Sequence, residues 1–251
     1  QLLPVNLVEA DGWQPDLSAL EAALNNGARF VLITHPNNPT GAALSSESMR
    51  VIAELTERHG AWIMADEVYQ GAETNGEISP SFWGCHDRVL ITNSMSKAYA
   101  MPGLRLGWIV GPPDLVQELW GRTDYTTIAP PSVSDTLACL ALEPTTRARI
   151  LERTRKIVRA NLGLLETWMA TQEGRFTYRP PDAGAICYAR YSANINSTEF
   201  AEKLRVEKDV LVVPGDHFGM DYYLRLGFGT PAEKLLEALD LIQEAFDEVT
   251  K

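Results

Sequence analysis

The sequence has few basic residues, few cysteines and no long apolar run. Lysine and arginine total 22 against 33 aspartates and glutamates, which gives a net charge of −11. A surface this acidic repels phosphate backbones, so nucleic-acid binding is not expected. No apolar stretch approaches the roughly 20 residues that a membrane-spanning helix needs. The three cysteines form no C-x-x-C pair, which is typical of reduced thiols in a cytoplasmic protein.

The beginning of the chain also lacks expected features. Gln1 opens an apolar phrase, with no initiator methionine and no signal-peptide pattern. We therefore expect the sequence to be a fragment of a longer protein. Its 251 residues allow one or two domains.

Short apolar runs alternate with a helical pattern in the first part of the chain. Strands buried on both faces are predicted over 29–34, 61–65, 89–92 and 106–110, with a helix over 45–59. Strands that alternate with helices indicate an α/β fold with a mostly parallel sheet. We assign this large domain, incomplete at its N-terminus, to residues 1–145.

The pattern changes after Pro144, where a long helix is predicted over 145–172. Further strands are predicted over 176–178, 185–190, 210–213 and 222–228, and further helices over 197–206 and 232–249. These strands are not each followed by a long crossover. We therefore predict a smaller α+β C-terminal domain over 146–251, which includes the long connecting helix.

Lysine is scarce, with only six in the chain. Five have helical or terminal contexts typical of solvated side chains, but Lys97 follows the predicted strand 89–92. Loops at the carboxyl ends of strands line the ligand crevice of an open α/β sheet. A lysine there can be partly desolvated, which lowers its pKa and leaves an amine able to form a Schiff base. Taken alone, Lys97 is better interpreted as a surface lysine.

Polar residues follow two other predicted strands. Asp66 ends the run 61–65 and Tyr69 lies three residues further on, while the loop HPNNPTG at 35–41 follows the first strand. The loop presents amide donors at the crevice edge, although its prolines and glycine also fit a plain rigid turn. An acidic residue after a strand is often a helix cap or a metal ligand. No histidine has a spacing that completes a metal site, so no metal is expected.

Two arginines have unusual contexts. Arg105 lies eight residues beyond Lys97 and just before the predicted strand 106–110, where it either forms a salt bridge or grips a phosphate. Arg225 alternates with apolar neighbours inside the predicted strand 222–228. A charge in that position must be paired or must bind an anion.

Four motifs occur in order: HPNNPTG, ADEVY, SMSK with an arginine eight residues later, and YLRLGFG. With them the whole chain resembles the C-terminal two-thirds of class I/II aminotransferases, which are pyridoxal-phosphate enzymes of fold type I. The resemblance implies transamination between an amino acid and a 2-oxo acid through a lysine Schiff base. It also implies a homodimer, and an N-terminal phosphate loop and ring-stacking aromatic residue that do not occur in this sequence.

The resemblance implies a role for each residue that the motifs match. Lys97 resembles the lysine that forms the Schiff base and then transfers protons. Asp66 resembles the carboxylate that keeps the pyridine nitrogen protonated. Tyr69 and Asn38 resemble the pair that hydrogen-bonds the phenolic oxygen of the ring.

Three more positions match the anion-binding residues of the family. Ser94 and Arg105 resemble the phosphate anchors. Arg225 resembles the arginine that binds the α-carboxylate of the substrate, and Asn38 is also expected to be a substrate-binding residue.

Other functions remain open on the sequence. The same site would serve a pyridoxal-phosphate lyase or cyclase that acts at Cβ or Cγ, and the segment 215–221 faintly resembles enzymes acting on arginine derivatives. His217 in that segment either contacts substrate or is a hydrogen-bonded loop residue. The chain would also fit the aminotransferase-like sensor domain of a transcription regulator, behind an N-terminal DNA-binding domain.

Overall fold

A computed structural model describes all 251 residues. The strands are β1 (Leu7–Val8), β2 (Gln14–Pro15), β3 (Phe30–Thr34), β4 (Trp62–Asp66), β5 (Val89–Ser94), β6 (Gly107–Val110), β7 (Phe176–Tyr178), β8 (Ile186–Tyr191), β9 (Val213–Pro214) and β10 (Tyr223–Gly227). The helices are α1 (Leu17–Asn25), α2 (Ser46–Arg58), α3 (Pro113–Thr123), α4 (Ser132–Leu142), α5 (Pro144–Ala170), α6 (Ser197–Lys208) and α7 (Ala232–Val249).

The first sheet has four strands in the order β3-β4-β5-β6. Neighbours β3, β4 and β5 are parallel, and β6 is antiparallel to β5. Leu24 of α1 and Ile52 of α2 pack against Ile63 and Ile91 of the sheet in one buried core. Three parallel strands, with α2 between β3 and β4 and an irregular connection over 67–88 between β4 and β5, confirm the predicted α/β class.

The other face of this sheet is only partly covered. Phe30 is 52% exposed and Leu32 is 67% exposed on β3, and Ile109 on β6 is 45% exposed. The prediction that these strands are buried on both faces is therefore wrong for β3 and β6. Their apolar residues point to both faces of the sheet, but α1 and α2 cover only one of them.

The second sheet is antiparallel, in the order β7-β8-β10-β9. Leu224 and Leu226 of β10 face a core shared with α5, α6 and α7. The alternate residues of β10 face the opposite way, and Arg225 there pairs in register with Tyr188 of β8. The predicted strand 210–213 is reduced to Val213–Pro214.

Helix α5 connects the two sheets. Pro144 occupies its first turn, where a missing N–H costs nothing. The Asn161 side-chain amide donates to the carbonyls of Phe228 and Thr230, both at 2.7 Å, and so ties the helix to the segment that follows β10. The division of the chain at residue 145 stays a prediction. None of the helices has both the length and the apolar character that crossing a membrane requires.

Candidate active site

The candidate site lies where three neighbouring strands of the first sheet end. Thr34 of β3 pairs in register with Asp66 of β4, and Asp66 pairs with Thr92 of β5. Because these strands are parallel, the loops that follow them begin at the same edge of the sheet. The edge therefore collects the loops at 35–41, 67–74 and 95–104.

Arg225 reaches this edge from the second sheet. Its Nη1 donates to Asn38 Oδ1 at 2.8 Å, across 187 residues of sequence. No carboxylate of the chain forms an ion pair with Arg225 within 4.0 Å. The structure thus brings two of the candidate substrate-binding residues into contact, and the partly buried guanidinium lacks an anionic partner.

Tyr69 lies between charges of both signs. Its side chain is 6% exposed. Burial raises the pKa of the Tyr69 phenol, Arg225 opposes that rise and Asp66 adds to it. The Arg225 guanidinium and the Asp66 carboxylate therefore both act on the electrostatic environment of the phenol.

Asp66 has no cation bound to it within this chain. Its Oδ1 accepts a hydrogen bond from the Val68 N–H at 3.3 Å, and the side chain is half-buried. This carboxylate at the end of a strand has an unused acceptor capacity. It is the type of group that can hold a proton on a ligand nitrogen.

Lys97 faces the same site but is more exposed than the sequence predicts. Its Nζ lies 5.9 Å from the centre of the Tyr69 ring and forms no ion pair. The side chain is exposed, so the predicted partial desolvation is wrong for this chain. The physical reason is that no segment of the chain covers the amine, although the amine is near the phenol.

Ser94 and Arg105 are brought to the same end of β5. Ser94 pairs in register with Gly107, two residues beyond Arg105. The Ser94 Oγ accepts a hydrogen bond from the Ser96 N–H at 3.2 Å, and Arg105 Nη1 donates to the Pro102 carbonyl at 2.9 Å. Arg105 is exposed and has no carboxylate partner, so its guanidinium is free to bind an anion.

His35 was missed as a supporting residue, although it stands in the HPNNPTG motif. Its ring is 1% exposed. The Nδ1 atom accepts from the Leu44 N–H at 3.0 Å, which leaves Nε2 to donate to the Pro80 carbonyl at 3.1 Å. Burial lowers the pKa of His35 to about 4. The neutral ring therefore joins three segments behind the Asn38 loop.

Glu67 was also missed, although it follows Asp66 directly. Its Oε1 accepts from the Ser81 hydroxyl at 3.0 Å and from the Phe82 N–H at 2.9 Å. Burial raises the pKa of the Glu67 carboxyl. This side chain anchors the loop after β4, whereas Asp66 is left available to a ligand.

Protonation of His35 is expected to destabilise the fold in acid. The pKa of His35 is about 4 in the folded chain, against an ordinary value of 6.5 for histidine, so as the pH falls below neutrality the unfolded state binds the proton first. Stability is then lost as the pH falls from about 7 to 4, by about 3 kcal/mol. Urea denaturation across this range should show a shallower decline for His35→Gln. His217→Gln, at an exposed position, should keep the wild-type slope, and an unchanged slope in His35→Gln would contradict the assignment.

His217 itself lies in the turn Gly215–Phe218 and is exposed. The neighbouring Asp216 carboxylate accepts hydrogen bonds from the Thr198 hydroxyl at 2.8 Å. The turn is therefore tied to α6, and the His217 ring is not part of that attachment.

The donor set at the sheet edge fits pyridoxal phosphate. Asp66 offers a free carboxylate for a protonated ring nitrogen, and Tyr69 offers a phenol for a ring oxygen. Lys97 offers an amine that no carboxylate neutralises, and Arg105 offers a free guanidinium for a phosphate. Each group has the charge and hydrogen-bonding capacity that one part of the cofactor requires.

Comparisons with known proteins point the same way. The family model "Aminotransferase class I and II" matches residues 1–242. Capreomycidine synthase from Streptomyces vinaceus is 32% identical, over 97% of this chain and 62% of its own length. Arginine–pyruvate transaminase from Pseudomonas aeruginosa is 31% identical, over 95% of this chain and 61% of its own length.

A solved structure extends the comparison to the fold. A PLP-dependent aminotransferase from Streptococcus suis superposes with a TM-score of 0.90 at 31% identity, over 98% of this chain and 64% of that one. The chain thus spans less than two-thirds of the length of these relatives.

Proposed function

Because the chain belongs to the class I and II aminotransferase family, we propose that it forms the larger part of a pyridoxal-phosphate-dependent aminotransferase. The enzyme exchanges an amino group between an amino acid and a 2-oxo acid. The observation that carries the proposal is the contact between Arg225 and Asn38. It places a guanidinium without an anionic partner at the sheet edge where Asp66 ends its strand.

Each candidate residue has its own role in the chemistry at the cofactor ring. When bound, pyridoxal phosphate supplies an electrophilic aldehyde and a ring that accepts electrons from the substrate carbon. Lys97 would hold the cofactor through its amine and would move the proton at the substrate Cα. Asp66 holds a proton on the ring nitrogen. Tyr69 and Asn38 hydrogen-bond the phenolic oxygen.

Anion binding orients the cofactor and the substrate. Ser94 and Arg105 bind the phosphate, with a hydroxyl donor and a planar guanidinium. Arg225 binds the substrate α-carboxylate through two parallel N–H donors, which fixes the direction of the Cα–H bond relative to Lys97. The proposal includes a cytoplasmic homodimer for the complete protein.

A single-turnover experiment tests transamination. The complete protein, loaded with pyridoxal phosphate, is mixed with one amino acid at a time and no acceptor acid. Full conversion of the cofactor to its amine form, with one equivalent of 2-oxo acid, is the expected result. Ammonia and a keto acid without that conversion would contradict transamination.

A second candidate is a cyclase or lyase that acts on an arginine-derived amino acid. The similarity to capreomycidine synthase, which is not named as a transaminase, favours a reaction other than transamination. The similarity to arginine–pyruvate transaminase bears only on the substrate and favours an arginine-type amino acid. Lys97 and Asp66 would have the same roles, because the reactions diverge only after the Cα proton has left. Mass analysis of the product from a hydroxylated arginine separates the two, since a ring-closed amino acid would retain the α-amino group.

A further inference from the structure

A short segment leads from the second half of the chain into β8 and passes between two loops of the candidate site. We call residues 181–184 the crossing segment. The N–H groups of Asp182 and Ala183 donate to the Gly41 carbonyl at 2.9 and 3.0 Å. The Gly184 N–H donates to the Ala72 carbonyl at 2.9 Å. The crossing segment therefore joins the loop that carries Asn38 to the loop that carries Tyr69.

Gly184 makes the closest approach to Tyr69. A Cβ atom at position 184 would lie 2.8 Å from Tyr69 Cδ1 and 3.2 Å from Tyr69 Cε1. The first distance is shorter than real Cβ contacts allow, and the Tyr69 ring is only 6% exposed. Any side chain at position 184 must therefore displace the ring.

Gly184 is also linked, through the next residue, to the end of β10, the strand that carries Arg225. The next residue, Ala185, accepts a hydrogen bond at 2.8 Å from the N–H of Phe228, three residues beyond Arg225. The backbone that presses on the Tyr69 ring is thus attached to the end of β10. This attachment sets the position of the phenol relative to the guanidinium that lies near it.

We propose that Gly184 is a positioning residue, whose missing Cβ lets the crossing segment lie against the Tyr69 ring and set the place of its hydroxyl. The catalytic consequence rests on the proposed function, in which that hydroxyl binds the cofactor's phenolic oxygen. Hydrogen-bond geometry at such a site is demanding, and a displacement of about 1 Å can reduce catalysis by about 100-fold.

The test compares Gly184→Ala with Gly174→Ala. Both glycines have a left-handed φ, +79° and +82°, so alanine imposes the same backbone strain at each. Only position 184 adds a clash, because nothing lies within 4 Å of a Cβ at position 174. In the complete protein with bound cofactor, Gly184→Ala is expected to shift the pH midpoint of the visible absorption band by about 0.5–1 unit. Gly174→Ala should leave the midpoint unchanged, and equal midpoints in both variants would overturn the proposal.

A stability cycle tests the same contact without the cofactor. With Tyr69 present, Gly184→Ala should lower the urea midpoint of unfolding more than Gly174→Ala does. In a Tyr69→Ala background the two glycine substitutions should lower the urea midpoint of unfolding by the same amount, because the ring no longer blocks the new Cβ. If Gly184→Ala does not fold, folding of the double variant Tyr69→Ala/Gly184→Ala supports the proposal. If neither Gly184→Ala nor this double variant folds, the proposal is overturned.

The two experiments separate the two proposals. A wild-type protein that takes up no pyridoxal phosphate would refute the proposed function, while the stability cycle would still decide the Gly184–Tyr69 contact. If the wild-type protein shows a normal absorption band but Gly184→Ala lowers the urea midpoint of unfolding no more than Gly174→Ala does, only the positioning role is refuted.

Discussion

Replacement of Lys97 by alanine in the complete protein is expected to abolish the visible absorption band of the bound cofactor and nearly all turnover. Alanine has no amine to condense with the aldehyde. It also cannot move the substrate Cα proton, and loss of such acid–base catalysis alone costs about 10²–10⁴-fold in rate. Spectroscopy and steady-state kinetics on the purified variant measure both effects.

Lys156→Ala is the matched control for this variant. Lys156 is exposed on α5 and forms no ion pair, so its removal should change neither the absorption band nor the rate. A normal band or normal turnover in Lys97→Ala would remove Lys97 from its role. Thermal unfolding should be similar in both variants, because neither side chain is buried.

Arg225→Ala is expected to weaken amino-acid substrates far more than it weakens cofactor binding. Loss of a charged partner from a binding site costs about 2–5 kcal/mol, or about 30- to 4,000-fold in kcat/KM. Arg225 is not ion-paired within the chain, and its one side-chain hydrogen bond goes to Asn38. Its removal should therefore leave no carboxylate without an ion-pair partner, and the variant should still fold.

The neighbouring strand offers a control for Arg225. Arg190 on β8 is exposed and pairs in register with Tyr223, two residues before Arg225. Arg190→Ala removes the same charge near the site without removing the proposed carboxylate ligand, so kcat/KM should stay near the wild-type value. The kcat/KM of Arg225→Lys should lie between the values of Arg190→Ala and Arg225→Ala, because lysine keeps the charge but lacks the planar pair of donors. Equal losses in Arg190→Ala and Arg225→Ala would show a general charge effect instead.

The sequence predicted the fold best where a single face is deeply buried. Helix α7 runs over Ala232–Val249 as predicted, because most of its apolar side chains recur at helical spacing and pack into one core. Helices α3 and α4 were not predicted. Apolar residues on their exposed surfaces, such as Trp120 at 64% and Leu140 at 54% exposure, obscure the spacing of the buried side chains. The sequence pattern reports which residues are apolar, not which neighbours cover them.

The site could be predicted in part. The motif residues Asn38 and Arg225 were both assigned to the substrate site from the sequence, and the structure brings them into contact. The contact between Gly184 and Tyr69 could not be predicted, because it depends on how a segment from the second half of the chain crosses the first sheet. The exposure of Lys97 could likewise not be predicted, since burial depends on all the segments that surround a side chain.

The role of Lys97 is tested most directly by locating the amine that condenses with the cofactor. The complete protein is loaded with pyridoxal phosphate, reduced with borohydride and digested, and the labelled peptide is identified by mass spectrometry. We expect a single pyridoxyl group, on the peptide that contains Lys97. A label on another of the six lysines, or no label on a protein that has bound the cofactor, would contradict it.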